Sequence, residues 1–144
     1  MHIKDTFGKY LEEAIGSDNA LIAFSAFEEP AKVAVRVNPF KKGRGFDGQE
    51  VPWNPHGTIL PERPSFTLDP DLHGGAYYVQ DSSSMFVGHV FRELVSREVC
   101  PDSRPVRVLD LCAAPGGKST DLAASLRELF GDRFVLVSNE IMKQ

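Results

Sequence analysis

The feature that most restricts the fold lies between residues 106 and 138, where a strand, a glycine-rich turn, a helix and a second strand follow one another. Residues 106–111 are mostly apolar, as in a buried strand, and residues 134–138 repeat that pattern. Between them, leucines and alanines recur at helical spacing over residues 119–130, and Gly131 ends the helix. This order predicts one βαβ unit of a parallel sheet, which places the chain in the α/β class.

The first part of the chain predicts a separate, smaller α/β arrangement. Apolar residues share one helical face over residues 5–15, and Asp5 and Gly16 are suited to the two ends of that helix. A second helix, capped by Asp18 or Asn19, is expected to end at Phe27.

Strand and turn patterns follow these helices. Residues 32–37 alternate in polarity as a half-buried strand does, and residues 39–75 are rich in turn formers. A strand at 76–79 and a helix capped near Asp81 lead into the βαβ unit. We therefore expect two domains, residues 1–75 and residues 76–144, the second holding only the beginning of a parallel sheet.

Composition excludes several classes of protein. The chain has 144 residues, a formal net charge of −4 and two cysteines, which argue against a disulfide framework, a four-cysteine zinc site and a uniformly basic nucleic-acid binder. Its opening residues lack the apolar core of a secretory signal, so a cytoplasmic location is expected. Because two strands make an incomplete parallel sheet, we also expect another chain to cover the exposed sheet edge.

The turn after residue 110 has the properties of a nucleotide-type cofactor site. Small residues allow close approach of the backbone, and the helix that follows presents free N–H groups. Glu140 comes after the second strand, roughly 20 residues beyond the glycines, where a carboxylate can accept hydrogen bonds from a ribose. Asp110 suits a cationic cofactor such as S-adenosyl-L-methionine, whose amino group it would contact, and would repel a pyrophosphate.

Two other functions remain open at this point. The sequence Gly117-Lys118-Ser119 fits the end of a phosphate-binding P-loop, although Cys112 stands where that motif needs its first glycine. A fragment of a P-loop nucleotide hydrolase is therefore one alternative. A non-catalytic RNA-binding module is the other.

Four segments together resemble the Sun/nucleolar-protein family of RNA (cytosine-5) methyltransferases, and its bacterial ribosomal-RNA branch in particular. Residues 110–118, Asp-Leu-Cys-Ala-Ala-Pro-Gly-Gly-Lys, are similar to the cofactor motif of that family and carry most of the resemblance. Residues 35–38 with Lys41, residues 63–64 and residues 75–85 are similar to its upstream segments, in the same order. The match covers most of residues 30–140.

This resemblance implies an N-terminal α/β domain followed by a Rossmann-like methyltransferase domain that uses S-adenosyl-L-methionine to form 5-methylcytosine in RNA, with rRNA as the expected substrate. The family attacks carbon 6 of cytosine with a cysteine thiolate. The cysteines that the family uses are expected beyond Gln144, so the 144-residue chain is expected to be inactive alone, and Cys112 is expected to be a small packed residue. The implied cofactor-binding residues are Asp110, Cys112, Ala113, Ala114, Pro115, Gly116, Gly117, Lys118 and Glu140.

Basic residues near the start of the turn-rich segment form a candidate RNA-binding patch. Arg36, Lys41, Lys42 and Arg44 lie close together in an otherwise acidic chain, with Phe40, Phe46 and Trp53 nearby. A solvated loop is the competing interpretation, since Asp47 and Glu50 dilute the charge. The four histidines show no ligand spacing, and no metal site is expected.

Overall fold

The computed structural model describes residues 5–98 and 104–142, of which 5, 97 and 98 are described by backbone alone. Residues 1–31 and 32–144 form two compact units. In the first, α1 (Asp5–Ile15) and α2 (Ser17–Phe27) are joined by Gly16, whose φ of 81° lies in the left-handed region. The rings of Phe7 and Phe24 each pack about 6 Å from that of Phe27. The two predicted helices are thereby confirmed.

The caps predicted for α2 are wrong, and the reason is the position of Gly16. The helix begins at Ser17, directly after Gly16, and no side chain caps it. Asn19 instead donates from Nδ2 to the carbonyl of Ile15 at 2.8 Å. Asp5 is predicted to cap α1, but its side chain lies outside the described part of the structure.

The second unit begins with a four-stranded antiparallel sheet. It contains β1 (Val33–Val37), β2 (Gln49–Glu50), β3 (Gly57–Leu60) and β4 (Tyr77–Val79) in the order β2-β3-β1-β4. Strand β1 lies inside this sheet, with Val35 opposite Thr58 on one side and Val79 on the other.

Both faces of β1 are covered. Val35 packs in a core cluster with Leu60, Phe66 and Tyr77 on one face, while Ala34 packs with Val51 and Met85 in another. Ala34, Val35 and Arg36 are consequently all buried. The strand predicted at residues 32–37 is confirmed over Val33–Val37, although its polar residue Arg36 is buried like its apolar neighbours.

Short elements connect this sheet to the second half of the unit. Helix α3 (Pro70–His73) is capped by Asp69, and α4 (Phe86–Glu98) follows a 3₁₀ turn at Ser83–Met85. Asp81 Oδ1 accepts from the backbone N–H of Ser83 at 2.7 Å, whereas the residue at the N-cap position is Ser82, whose side chain makes no capping bond. The domain boundary predicted after residue 75 stays a prediction, although β4, just beyond it, pairs with β1.

The βαβ unit predicted from the sequence is confirmed. Strands β5 (Val106–Asp110) and β6 (Phe134–Ser138) are parallel, with Val106 opposite Phe134 and Asp110 opposite Ser138. They flank α5 (Gly117–Phe130), whose Leu126 is fully buried. Leu109 and Val137, neighbours across the two strands, are more than half exposed, so one side of this sheet presents apolar residues. None of the helices in the described ranges combines the length and the hydrophobicity that a membrane-spanning segment needs.

Candidate cofactor site at the end of strand β5

The site begins with the turn of residues 111–116, which we call the cofactor loop. The N–H of Gly116 donates to the carbonyl of Ala113 at 2.6 Å, which closes the loop just before α5 begins. Gly116 has φ of 105°, and nothing lies within 4 Å of the position that a Cβ would take. Glycine is required here by the backbone conformation, and the loop faces open space on this side.

Asp110 fastens the start of α5 to the end of β5. Its Oδ2 accepts from Ser119 Oγ at 2.6 Å, and its Oδ1 accepts from the N–H of Cys112 at 3.3 Å. Ser138, at the end of β6, donates from Oγ to Ser119 Oγ at 2.9 Å. The ends of both parallel strands are thus connected with the first turn of the helix, as the βαβ arrangement requires.

Glu140 holds the cofactor loop from the other side. Its Oε2 accepts from the N–H of Ala114 at 3.0 Å, and its Oε1 accepts from the N–H of Met142 at 2.9 Å. These backbone donors, Met142 first and Ala114 second, lower the pKa of Glu140 because they stabilise the charged carboxylate. Since each carboxylate oxygen has a second lone pair and Glu140 is exposed, it retains capacity to bind hydroxyl groups.

A cavity of about 200 Å³ lies beside the cofactor loop, between the end of β4 and the start of α5. The hydroxyl of Tyr78 donates to the carbonyl of Pro115 across it at 3.1 Å. A Cβ on Gly117 would come within 3.3 Å of the Tyr78 ring, so the absence of a side chain permits this close approach. The lining residues are Tyr78, Val79, Gln80, Asp81, Ser84, Ala113, Ala114, Pro115, Gly117 and Lys118.

The two acids predicted to flank the turn meet at the cofactor loop, but they do not line this cavity. Asp110 and Glu140 bond to the N–H groups of Cys112 and Ala114, two residues of the same loop. That both acids face one shared hollow stays a prediction. Cys112 is exposed, so its predicted packing is wrong: the turn leaves its side chain on the surface.

Sequence reasoning missed a buried polar cluster behind the site. Asp121, on α5, is 2% exposed and accepts from Asn54 Nδ2 at 3.1 Å and from Arg92 Nη1 at 3.3 Å. Arg36, from β1, lies 3.9 Å from the same carboxylate. Two signals in the sequence pointed to this cluster: an aspartate on the apolar face of a helix, and Gly88 in the middle of α4, where Asp121 leaves no space for a Cβ.

Three of the four basic residues of the predicted RNA-binding patch, Lys41, Lys42 and Arg44, lie on the surface. Lys41 donates to the carbonyl of Gly74 at 2.6 Å, and Arg44 pairs with Asp69 at 3.1 Å while stacking on Phe46. Lys42 is exposed.

Arg36 does not lie on the surface with the other three basic residues. Arg36 is 3% exposed because its side chain lies against Gln80 and the first turn of α5, and this burial removes Arg36 from any surface contact with RNA. Of the nearby aromatic residues, Phe46 packs on Tyr77 and Trp53 donates to the Ser82 carbonyl, while Phe40 is about half exposed.

Neither a metal centre nor a catalytic cysteine pair emerges from the described ranges. Among residues 5–98 and 104–142, no group of three or more histidine, cysteine, aspartate or glutamate side chains could hold a metal ion. Cys112 is a free thiol in the cofactor loop. Cys100, the second cysteine of the chain, lies outside the described residues.

Comparison with known proteins agrees with this architecture. Two relatives named "Ribosomal RNA small subunit methyltransferase F", from Shewanella denitrificans and Salmonella paratyphi B, are 27% and 28% identical to the chain over 97% of its length. The chain spans 29% and 30% of those relatives. A solved structure titled "Crystal Structure of PH0851" shares the fold, with a TM-score of 0.72 over 95% of this chain and 30% of its own, at 20% identity.

A family model identifies the chain more directly. It is described as the N-terminal domain of 16S rRNA methyltransferase RsmF, and it matches residues 3–82, more than half of the sequence. This match includes the antiparallel sheet and ends just before α4. The family suggested by the segments around residues 35–38 and 75–85 is therefore confirmed, and the chain belongs to the RsmF family of 16S rRNA methyltransferases through its N-terminal domain.

Proposed function

We propose that this chain provides part of the S-adenosyl-L-methionine site of a methyltransferase that forms 5-methylcytosine in rRNA. One observation carries the proposal: acids from the ends of two adjacent parallel strands, Asp110 and Glu140, both bond to the backbone of one glycine-containing loop. The family to which the chain belongs, and the names of its relatives, support rRNA methylation as the activity of the whole protein.

The residues of the site fit this cofactor better than a chain of phosphates. In a P-loop, the hydroxyl after the lysine binds magnesium, whereas Ser119 Oγ donates to Asp110 at 2.6 Å. The carboxylate of Asp110 would also repel a nucleotide triphosphate at this position. These contacts argue against the nucleotide hydrolase that Gly117-Lys118-Ser119 left open.

Each residue of the site has a separate task in this proposal. Glu140 accepts hydrogen bonds from the ribose hydroxyls, and the backbone of residues 113–116, of which Ala114 and Pro115 are exposed, supports the amino acid part of the cofactor. Lys118, in the first turn of α5, lines the cavity and supplies positive charge there. When bound, the cofactor supplies the methyl group that is transferred. Cys112 belongs to the binding loop in this proposal and is not the nucleophile.

Cofactor binding by the intact protein tests the proposal. We expect isothermal titration calorimetry to detect S-adenosylmethionine and S-adenosylhomocysteine, but not ATP with magnesium. Glu140→Ala removes the expected ribose contact and should weaken binding at least tenfold, since hydrogen bonds to a charged group contribute about 1.5–3 kcal/mol. Asp132→Asn, on an exposed residue after α5, is the matched control and should bind like the wild type. Tighter binding of ATP would reverse the assignment.

We also propose that Lys41, Lys42 and Arg44 contact the RNA. The three basic side chains lie on one exposed segment, and Lys41 and Arg44 are held there by contacts with Gly74 and Asp69. Their triple replacement by alanine should weaken RNA binding and lower the salt dependence, by about 0.7 in the log–log slope for each lost phosphate contact. Lys9→Ala, on exposed α1, is the control. An unchanged slope in the triple variant would refute the patch.

A further inference from the structure

Arg36 makes three hydrogen bonds that join the antiparallel sheet to the first turn of α5, directly after the cofactor loop. Nη2 donates to Thr120 Oγ1 at 2.6 Å and to the carbonyl of Gly117 at 3.2 Å, both in the first turn of α5. Nε donates to Gln80 Oε1 at 2.9 Å, in the residue after β4. The guanidinium is planar and its donors have fixed directions, so these three contacts define the relative positions of the groups they join.

Neutralising Asp121 does not explain these contacts. The distance from Arg36 Nε to that carboxylate is 3.9 Å, longer than any of its three hydrogen bonds. Asp121 already accepts from Arg92 and from Asn54 at hydrogen-bond distance. Arg36 therefore adds a second positive charge to a cluster that contains one carboxylate, close to the start of α5.

Gln80 is the residue that this arrangement orients. Its side chain is more than nine-tenths buried, and Arg36 occupies its Oε1, which leaves the Nε2 amide as the end with free donors. That nitrogen is buried without a hydrogen-bond partner. An unpaired buried donor is costly, and such groups are rare unless a ligand or water completes them. Gln80 lines the cavity beside the cofactor loop together with Pro115 and Lys118.

We propose that Arg36 is a positioning residue of the cofactor site: it holds the first turn of α5 and turns the amide of Gln80 so that Nε2 donates to an acceptor oxygen of the ligand in the cavity. A negatively charged oxygen is favoured, because Lys118 and the N-terminal end of α5 add positive potential to the same cavity. The identity of the ligand rests on the proposed function, whereas the positioning of α5 does not.

Hydrogen exchange in the intact protein tests the positioning role. In Arg36→Lys, the charge beside Asp121 is retained but the contacts with Gln80, Gly117 and Thr120 are lost. We expect the amides of residues 112–120 to exchange about five- to tenfold faster than in the wild type, the effect of losing one or two net hydrogen bonds.

Arg92→Lys is the matched control. Arg92 is partly buried beside the same carboxylate and bonds Asp121, Ser125 and the Trp53 carbonyl, but it makes no described contact with the cofactor loop. Arg92→Lys should lower the melting temperature without accelerating exchange in residues 112–120. The positioning role is refuted if the two variants lose the same melting temperature and accelerate amide exchange in that segment equally. It is also refuted if neither variant accelerates exchange there.

Ligand binding tests the role of Gln80. Gln80→Glu keeps an acceptor for Arg36 but removes both amide donors and adds a negative charge, so the affinity for S-adenosylhomocysteine should fall at least tenfold. Equal affinity of wild type and variant would refute the contact. If the wild type binds no S-adenosylhomocysteine, the proposed cofactor fails and the Gln80 contact fails with it. The exchange comparison between Arg36→Lys and Arg92→Lys is unaffected by that result.

Discussion

Replacing Gly88 by alanine should destabilise the protein, although the same change stabilises most helices. Gly88 lies inside α4, where alanine is favoured over glycine by about 1 kcal/mol. A Cβ at this position would lie 2.7 Å from Asp121 Cγ and nearer still to Oδ2. The carboxylate would have to retreat by about 1 Å to reach an ordinary contact distance.

That retreat is opposed by the donors that hold Asp121. Its hydrogen bonds from Asn54 and Arg92 are already 3.1 and 3.3 Å long, so a shift stretches at least one of them beyond bonding distance. Loss of a hydrogen bond to a charged group costs about 1.5–3 kcal/mol, and overpacking costs about 1–3 kcal/mol. Against the helix gain of about 1 kcal/mol, we expect a net loss of about 1.5–5 kcal/mol in the free energy of unfolding.

Urea unfolding followed by the fluorescence of Trp53 measures this loss. Trp53 is the single tryptophan, and it packs on Phe86 in the same unit as Gly88. Gly8→Ala is the control in α1, since a Cβ there would lie 3.6 Å from Phe24, an ordinary contact. Circular dichroism should show Gly8→Ala at or above wild-type stability. The reasoning about Asp121 fails if Gly88→Ala unfolds at the same or a higher urea concentration than the wild type.

Three further outcomes are expected. Leu126→Ala should lower the free energy of unfolding by about 2–5 kcal/mol in urea titrations, because Leu126 is fully buried; a loss below 1 kcal/mol would contradict that packing. The lowered pKa of Glu140 means that its contribution to folding is present above the unfolded pKa and is lost as the pH falls through the folded value. The amide resonance of Ala114 should therefore move during acid titration by NMR, and Glu140→Gln should abolish the movement. The exposed thiol of Cys112 should react readily with a disulfide reagent, and S-adenosylhomocysteine should slow that reaction if Cys112 belongs to the cofactor loop.

The βαβ unit could be predicted closely from the sequence because its signals are local. The apolar run of residues 134–138 is a strand, as expected, and β5 ends at Asp110, one residue before the predicted end. Helix α5 begins at Gly117, two residues earlier than predicted, since Gly116 in the left-handed region starts it directly after the turn. The contacts of Asp110 and Glu140 with the loop follow from the rule that parallel strands end at one edge of the sheet.

Arg36 and Asp121 could not be placed by the same reasoning. A charged residue is assigned to the surface by default, and the alternation of residues 32–37 favours the same assignment. The inner position of β1 depends on its pairing with β3 and β4, which joins residues more than 20 positions apart. Its partners Gly117 and Thr120 lie more than 80 residues away in sequence, so no local pattern contains this contact.

Arg36 and Asp121 are buried together with the partly buried Arg92, although burying charged groups costs desolvation energy that apolar residues at these positions would not. The directions of their hydrogen bonds give a reason for their presence. Buried ion pairs contribute little net stability compared with apolar packing, but they accept few alternative arrangements, because a misplaced charge is strongly penalised. Here the directions of the guanidinium donors couple β1 and β4, through Arg36 and Gln80, to the first turn of α5. An apolar contact would let α5 slide or rotate by a fraction of an ångström at little cost. The polar contact fixes the position of the helix N-terminus, which is the part of α5 that borders the cofactor loop.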